Sequence, residues 1–144
     1  MIFFCEYLNI SCELKSESNK IYPMTPKPTL FYLSTCSTCK RIIDGLANPD
    51  YFHFQDIKTE SIRIEQLEQM IDYAGSVDKL FSKRAMKYRS LGLNEKELSD
   101  QEMKDWILKE YTFLNRPVLI MDGKIFIGSS KSNVEALYEA AKKI

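Results

Sequence analysis

Two cysteines two residues apart, Cys36 and Cys39 in "LSTCSTCKR" (33–41), are the residues most able to do chemistry in this chain. A thiolate attacks and a neutral thiol barely does, so a reactive cysteine needs a local reason to ionise. Cys36 follows an apolar run, "TLFYLS" (29–34), that suits a buried strand. It therefore falls just before or at the start of a helix. There, unpaired main-chain N–H groups and the positive end of the helix favour an anion. Lys40 and Arg41 add local positive charge. Cys39 lies about one turn further on, within reach of a mixed disulfide formed at Cys36. This makes Cys36 the expected nucleophile and Cys39 the expected resolving thiol.

Two plainer readings stand beside that one. A CxxC pair is half a zinc site, but the other half is hard to find: Cys5 and Cys12 have six residues between them in a weakly organised stretch, and His53 is the only histidine. No metal is expected. Alternatively, both cysteines are ordinary small core residues. The strand–CxxC–helix placement favours a redox pair over either.

A second stretch, "LNRPVLIMDGKIFIGSS" (114–130), also carries potential chemistry. Arg116 precedes Pro117, which opens an apolar strand, a position where proline is tolerated. The bond between them is a candidate cis peptide making a sharp approach to a site, or simply a strand boundary. Arg116 is either an anion-binding group or a solvated arginine. Gly128 and the serines after it suit a tight turn or a helix cap.

These residues need elements to hold them. After the cysteines, Ile42, Ile43 and Leu46 share a helical face; "YFHFQDI" (51–57) reads as a strand; Leu67, Met70, Ile71 and Ala74 recur at helical spacing with Gly75 as a stop. The middle reads as helical, with Phe81, Ala85 and Tyr88 on one face. Ser99 and Glu102 then form a capping box ahead of Met103, Trp106 and Ile107. "PVLIM" (117–121) and "KIFIG" (124–128) flank Asp122-Gly123, a hairpin signal. A last helix carries Val134, Leu137, Tyr138 and Ala141. The order is βαβα, extra helices, then ββα, an α/β domain over 29–144. Residues 1–28 contain a polar, proline-bearing linker and form an expected loosely ordered N-terminal extension, with Met24 an alternative start.

The bulk numbers fit that picture. The chain has 144 residues, 44% hydrophobic and 28% charged, enough for one domain with a real core. Lys and Arg together number 20 and Asp and Glu 20. Nothing global favours nucleic acid or an anionic membrane, and any basic site is local. With no spanning segment and a poor signal sequence, the expected compartment is the reducing cytoplasm.

Taken together, "LFYLSTCSTCKR", "LFSKRAMKYRSLGL", "LNRPVLI" and "DGKIFIGSS" resemble the arsenate reductase (ArsC) family and the related Spx regulators, in the family's order over nearly all of 29–144. The resemblance implies a thioredoxin-like fold with a helical insertion, and a cis proline at Pro117 facing the cysteines. It implies a thiolate at Cys36 that attacks arsenate or a disulfide. In such reductases three arginines hold the oxyanion; Arg116 matches one. The other two positions fall on Ser82 and near Gly128, while Arg84 matches an arginine of Spx and of less characterised ArsC-like proteins. Planar guanidinium forks orient an oxyanion better than neutral groups do, so this departure bears on the substrate; a carboxylate of glutathione is the alternative anion. The expected substrate-binding residues are Arg84, Arg116, Pro117 and Lys40. The implied external reductant is glutathione, glutaredoxin or thioredoxin, acting on a monomer. The Spx resemblance implies instead a redox switch whose partner is the alpha subunit of RNA polymerase.

Overall fold

The computed structural model describes residues 27–144. The expected N-terminal extension, with Cys5 and Cys12, lies outside the described residues apart from its last two positions. Four strands form one sheet: β1 (Thr29–Tyr32), β2 (His53–Asp56), β3 (Val118–Met121) and β4 (Lys124–Ile127), in the order β2-β1-β3-β4. β1 and β2 are parallel, with Leu30 opposite Phe54; β3 runs antiparallel to both β1 and β4, with Leu119 opposite Leu30 and Phe126. The β3–β4 turn places Asp122 at φ 50° and Gly123 at φ 72°. Two consecutive left-handed residues match the strands' twist, and Asp-Gly is among the few pairs that adopt them readily.

The helices are α1 (Ser37–Asp44), α2 (Ile64–Ala74), α3 (Met86–Ser90), α4 (Asp100–Lys109) and α5 (Lys131–Ala141). Strand side chains alternate between faces, so the sheet divides the core in two. Leu30, Leu119 and Met121 pack with Ile42 and Leu46 beside α1, and with Leu137 and Ala141 of α5. Phe31 and Val118 pack on the other face with Leu67, Met70 and Ala74 of α2 and with Met103 and Ile107 of α4. The result is a three-layer sandwich with βαβ and ββα halves, the thioredoxin-like arrangement that the sequence implies, with α3 and α4 inserted between the halves.

One contact fixes α1 against α5. Tyr138 donates its hydroxyl to the Ile42 carbonyl at 3.1 Å. Its ring lies against Gly45 so closely that a Cβ there would stand 2.4 Å from the hydroxyl oxygen.

The insertion departs from the expected single helical face through Phe81, Ala85 and Tyr88. Phe81 forms an antiparallel bridge to Leu114, Ala85 is the N-cap of the short α3, and only Tyr88 lies within that helix. Phe81 and Tyr88 approach one another through ring packing instead: Phe81 stacks on Phe113 at 5.2 Å and meets Tyr88 edge-on at 5.9 Å. Residues 81, 85 and 88 satisfy helical periodicity, but pairing with a segment distant in sequence takes Phe81 instead. Elsewhere the local signals hold. Gly75 ends α2 at φ 86°, and Ser99 and Glu102 make the reciprocal capping box of α4.

Candidate active site

β1 delivers the chain to the site. Leu33, just beyond it, is buried and accepts a hydrogen bond from the Cys36 N–H at 3.0 Å. Ser34 donates its N–H to Asp56 Oδ1 at 3.2 Å, which ties this loop to the end of β2. Cys36 is then the N-cap of α1, with extended backbone (φ −93°, ψ 111°), and its carbonyl accepts from the Lys40 N–H at 3.1 Å to close the first turn. No acidic residue occupies that turn. An anion at Cys36 thus faces the helix's free N–H groups unopposed.

The two sulfurs are driven apart in acidity. Burial works against ionisation of the half-buried Cys36. The main-chain N–H and the thiol of Cys39, together with the Arg116 guanidinium, outweigh it and hold the Cys36 thiol below its ordinary range. Cys39 is fully buried, and burial, reinforced by the neighbouring Cys36, pushes its thiol up to about 11 against the opposing help of the Leu33 main chain and Arg116. Cys36 is the more acidic of the two thiols and Cys39 the less, the order expected of an attacking and a resolving thiol.

Arg116 enters from the other side. Its peptide bond to the buried Pro117 is cis. Arg116 Nη1 donates to the Thr112 carbonyl at 3.4 Å, and its buried Nε has no protein partner among the described residues. The Phe81–Leu114 bridge, the Ser82 N–H to Phe113 carbonyl bond (2.6 Å) and the Asn115 N–H to Leu80 carbonyl bond (2.7 Å) lay the insertion along the Arg116 segment. Arg84 is thereby carried to the same wall. Cys36, Thr38, Ser82, Arg84, Lys87 and Arg116 all line one cavity of about 460 Å³. A second hollow of about 400 Å³ adjoins it across Arg84, Asn115, Arg116 and Ser129.

Of the residues singled out in sequence, Cys36, Arg84 and Arg116 come together on this cavity. Cys39 lies buried behind Cys36, and Pro117 is buried beside Arg116. Lys40 does not line that cavity; it borders a separate depression with Tyr32, Ile43, Asp44 and Phe54, over β1 and β2. Cys39 and Ile42 fix the inward face of α1, and Lys40 is rotated from Cys39 by roughly 100° around the axis. Of the serines after Gly128, Ser130 caps α5 by accepting from the Asn133 N–H at 3.4 Å. Gly128 (φ 87°) turns the chain there, its N–H donating to the Pro117 carbonyl at 2.9 Å. Sequence reasoning missed Thr38, Lys87, Thr112 and Asn115. Lys87 was visible only as one charge in the cationic run "SKRAMKYR". Among the described residues no cluster of three or more His, Cys, Asp or Glu side chains is placed to hold a metal ion, and no helix is long and apolar enough to cross a membrane.

A family model described as the ArsC family matches residues 31–137. The global transcriptional regulator Spx of Lactiplantibacillus plantarum is 22% identical over 107 residues, covering 73% of this chain and 81% of that protein. The arsenate reductase of Escherichia coli is 26% identical over 96 residues, covering 64% and 67%. Among solved structures, one described as a possible arsenate reductase from Streptococcus mutans superposes with a TM-score of 0.64 at 26% identity, covering 78% of this chain and 98% of that one. The arsenate reductase of Vibrio cholerae gives 0.64 at 17% identity, covering 77% and 95%, a likeness of fold.

Proposed function

The chain belongs to the ArsC family, and on that footing we propose that it is a thiol–disulfide oxidoreductase of the arsenate reductase type. The observation that carries the reading is the opposed acidity of two adjacent sulfurs, the more acidic of which opens onto a cavity walled by Arg84 and Arg116.

In the proposed reaction the Cys36 thiolate attacks one sulfur of a substrate disulfide, forming a mixed disulfide and releasing the other half as a thiolate. Cys39 then gives up its proton and attacks Cys36 Sγ. The substrate's remaining half leaves as a thiol and the Cys36–Cys39 disulfide is left behind. With arsenate, Cys36 displaces a hydroxyl from arsenic as water. Cys39's attack on Cys36 Sγ then transfers two electrons to arsenic, giving arsenite and the same disulfide. Glutathione, or a dithiol protein such as glutaredoxin or thioredoxin, restores the two thiols. Arg116 serves twice, stabilising the thiolate and binding the substrate's anionic part; Arg84 completes that wall. Ser82 and Gly128 stand where the resemblance calls for arginines, which favours a disulfide over arsenate as the better substrate.

Activity assays on arsenate and on a glutathione disulfide, each run with glutathione/glutaredoxin and with thioredoxin, test the reading. Cys36→Ser is expected to abolish turnover and Cys39→Ser to accumulate a mixed disulfide visible by mass spectrometry. Full turnover by Cys36→Ser contradicts it.

The Spx-named relatives and the shared Arg84 support a second reading, a redox switch that binds RNA polymerase. Oxidation to Cys36–Cys39 would then alter a protein-binding surface at the start of α1. Oxidant-dependent capture of the carboxy-terminal domain of the polymerase α chain, without turnover, would favour it.

A further inference from the structure

Lys87 lines the cavity with Arg84 and Arg116, yet its ammonium is bonded to the carboxylate of Glu110, which lies outside that lining. Glu110 also accepts from Thr112 Oγ1 at 3.2 Å, and the Thr112 carbonyl accepts from Arg116. The Lys87 side chain is 55% exposed and that of Glu110 18%, so Glu110 is the fixed member and the long, rotatable lysine the movable one. When Lys87 exchanges Glu110's carboxylate for a ligand's it stays paired, and Glu110 keeps its hydrogen bond from Thr112. Arg84 has no ion-pair partner among the described residues. The cavity lining therefore includes three cationic residues, with the Lys87 ammonium turned to Glu110, and among the described residues no carboxylate lines it.

Size points the same way. At about 460 Å³ the cavity lies in the range that encloses a molecule of drug size. A compact oxyanion beside Cys36 and Arg116 would fill only part of that volume. A cavity lined by Arg84, Arg116 and Lys87 suits instead a ligand with more than one anionic group.

We infer that Lys87 is a ligand-binding cation, held by Glu110 in this structure and transferable to a ligand, and that the cavity takes an extended, peptide-sized thiol or disulfide with at least two separate anionic groups. One group meets Arg84 and Arg116 and another meets Lys87. The sulfur character of this ligand rests on the reading of Cys36 as the attacking thiol; the number and spacing of its charges do not.

The test separates the two. Calorimetric titration of the Cys36→Ser protein uses S-methylglutathione, an unreactive probe with two carboxylates, and inorganic phosphate as the compact anion. Lys87→Met is expected to weaken the probe roughly two- to fivefold, and Glu110→Gln, which frees Lys87, to tighten it by a similar factor. Phosphate binding is expected to move clearly less in both variants. Opposite signs are the signature of a transferable cation. If both variants weaken the probe, the pair is only a structural latch; if neither changes it, if phosphate shifts as much, or if the probe fails to bind, the inference is overturned. None of these outcomes depends on whether Cys36 reacts.

Discussion

Phe81 pairs with Leu114 in a single antiparallel bridge, and that pairing sets Arg84 on the wall already occupied by Arg116. The insertion is therefore part of the site. It supplies cationic residues to a cavity whose proposed nucleophile, Cys36, belongs to the sheet-and-helix frame, and Phe113 and Leu114, both fully buried, anchor the junction.

Phe113 is the first place to probe that anchor. Its ring stacks on Phe81 at 5.2 Å and meets Trp106 edge-on at 5.6 Å. Phe113→Ala is expected to cost about 3–5 kcal/mol in urea denaturation. In whatever fraction stays folded, anion affinity should fall too, because Arg84 and Arg116 lose their common support. Unchanged affinity would mean that the two arginines are held independently.

Arg116 contributes to the thiolate directly. Arg116→Met removes the guanidinium that helps hold the Cys36 thiol below its ordinary range. The pH profile of alkylation should move to higher pH, and the rate at neutral pH should fall. Arg116→Lys, which keeps the charge but not the planar fork, is expected to lie between wild type and Met.

Asp56 gives a pH-dependent prediction. Burial opposes its ionisation, but hydrogen bonds from Ser34 and Lys58 prevail and its carboxyl lies below the usual range. A carboxyl depressed in the folded state stabilises above its unfolded value and loses that contribution as pH falls through the folded one. Asp56→Ala should therefore lower the melting temperature near neutral pH, by an amount corresponding to roughly 1 kcal/mol. The gap to wild type should close as pH falls below the ordinary aspartate range. A gap that persists in acid would assign the loss to packing.

Gly45 is constrained by a neighbour rather than by its own backbone angles, which are ordinary helical ones (φ −82°, ψ −4°). An added methyl would run into the hydroxyl and ring of Tyr138. Gly45→Ala is expected to destabilise by roughly 1–3 kcal/mol. Tyr138→Phe should recover part of the loss, although alone it removes the bond to the Ile42 carbonyl. Strict additivity in the double variant would remove the clash as the cause.

What the sequence made legible was what short-range chemistry decides. A cysteine between a strand and a helix must lie near the helix start, and Cys36 is the N-cap of α1. Asp-Gly between apolar runs must turn tightly, and Ser99 with Glu102 must cap a helix. The βαβ and ββα halves follow from those signals. The site's far wall was harder to see because a contact between segments distant in sequence builds it. Nothing local in "SKRAMKYR" says that Arg84 and Lys87 line the cavity while Lys83 turns to Asp78 at 3.2 Å. The same limit explains Lys40: its charge is plain in the sequence, but which way it faces depends on the burial of Cys39 and Ile42.

The proposed chemistry turns on which sulfur is ionised at neutral pH. Iodoacetamide labelling across pH, with the modified residue identified by peptide mass spectrometry, reads this directly. Cys36 should label first, with an apparent pKa below that of a free thiol, while Cys39 stays protected until strongly alkaline pH, in keeping with its value of about 11. Labelling of Cys39 first, or a Cys36 that titrates at or above the ordinary thiol range, would contradict it.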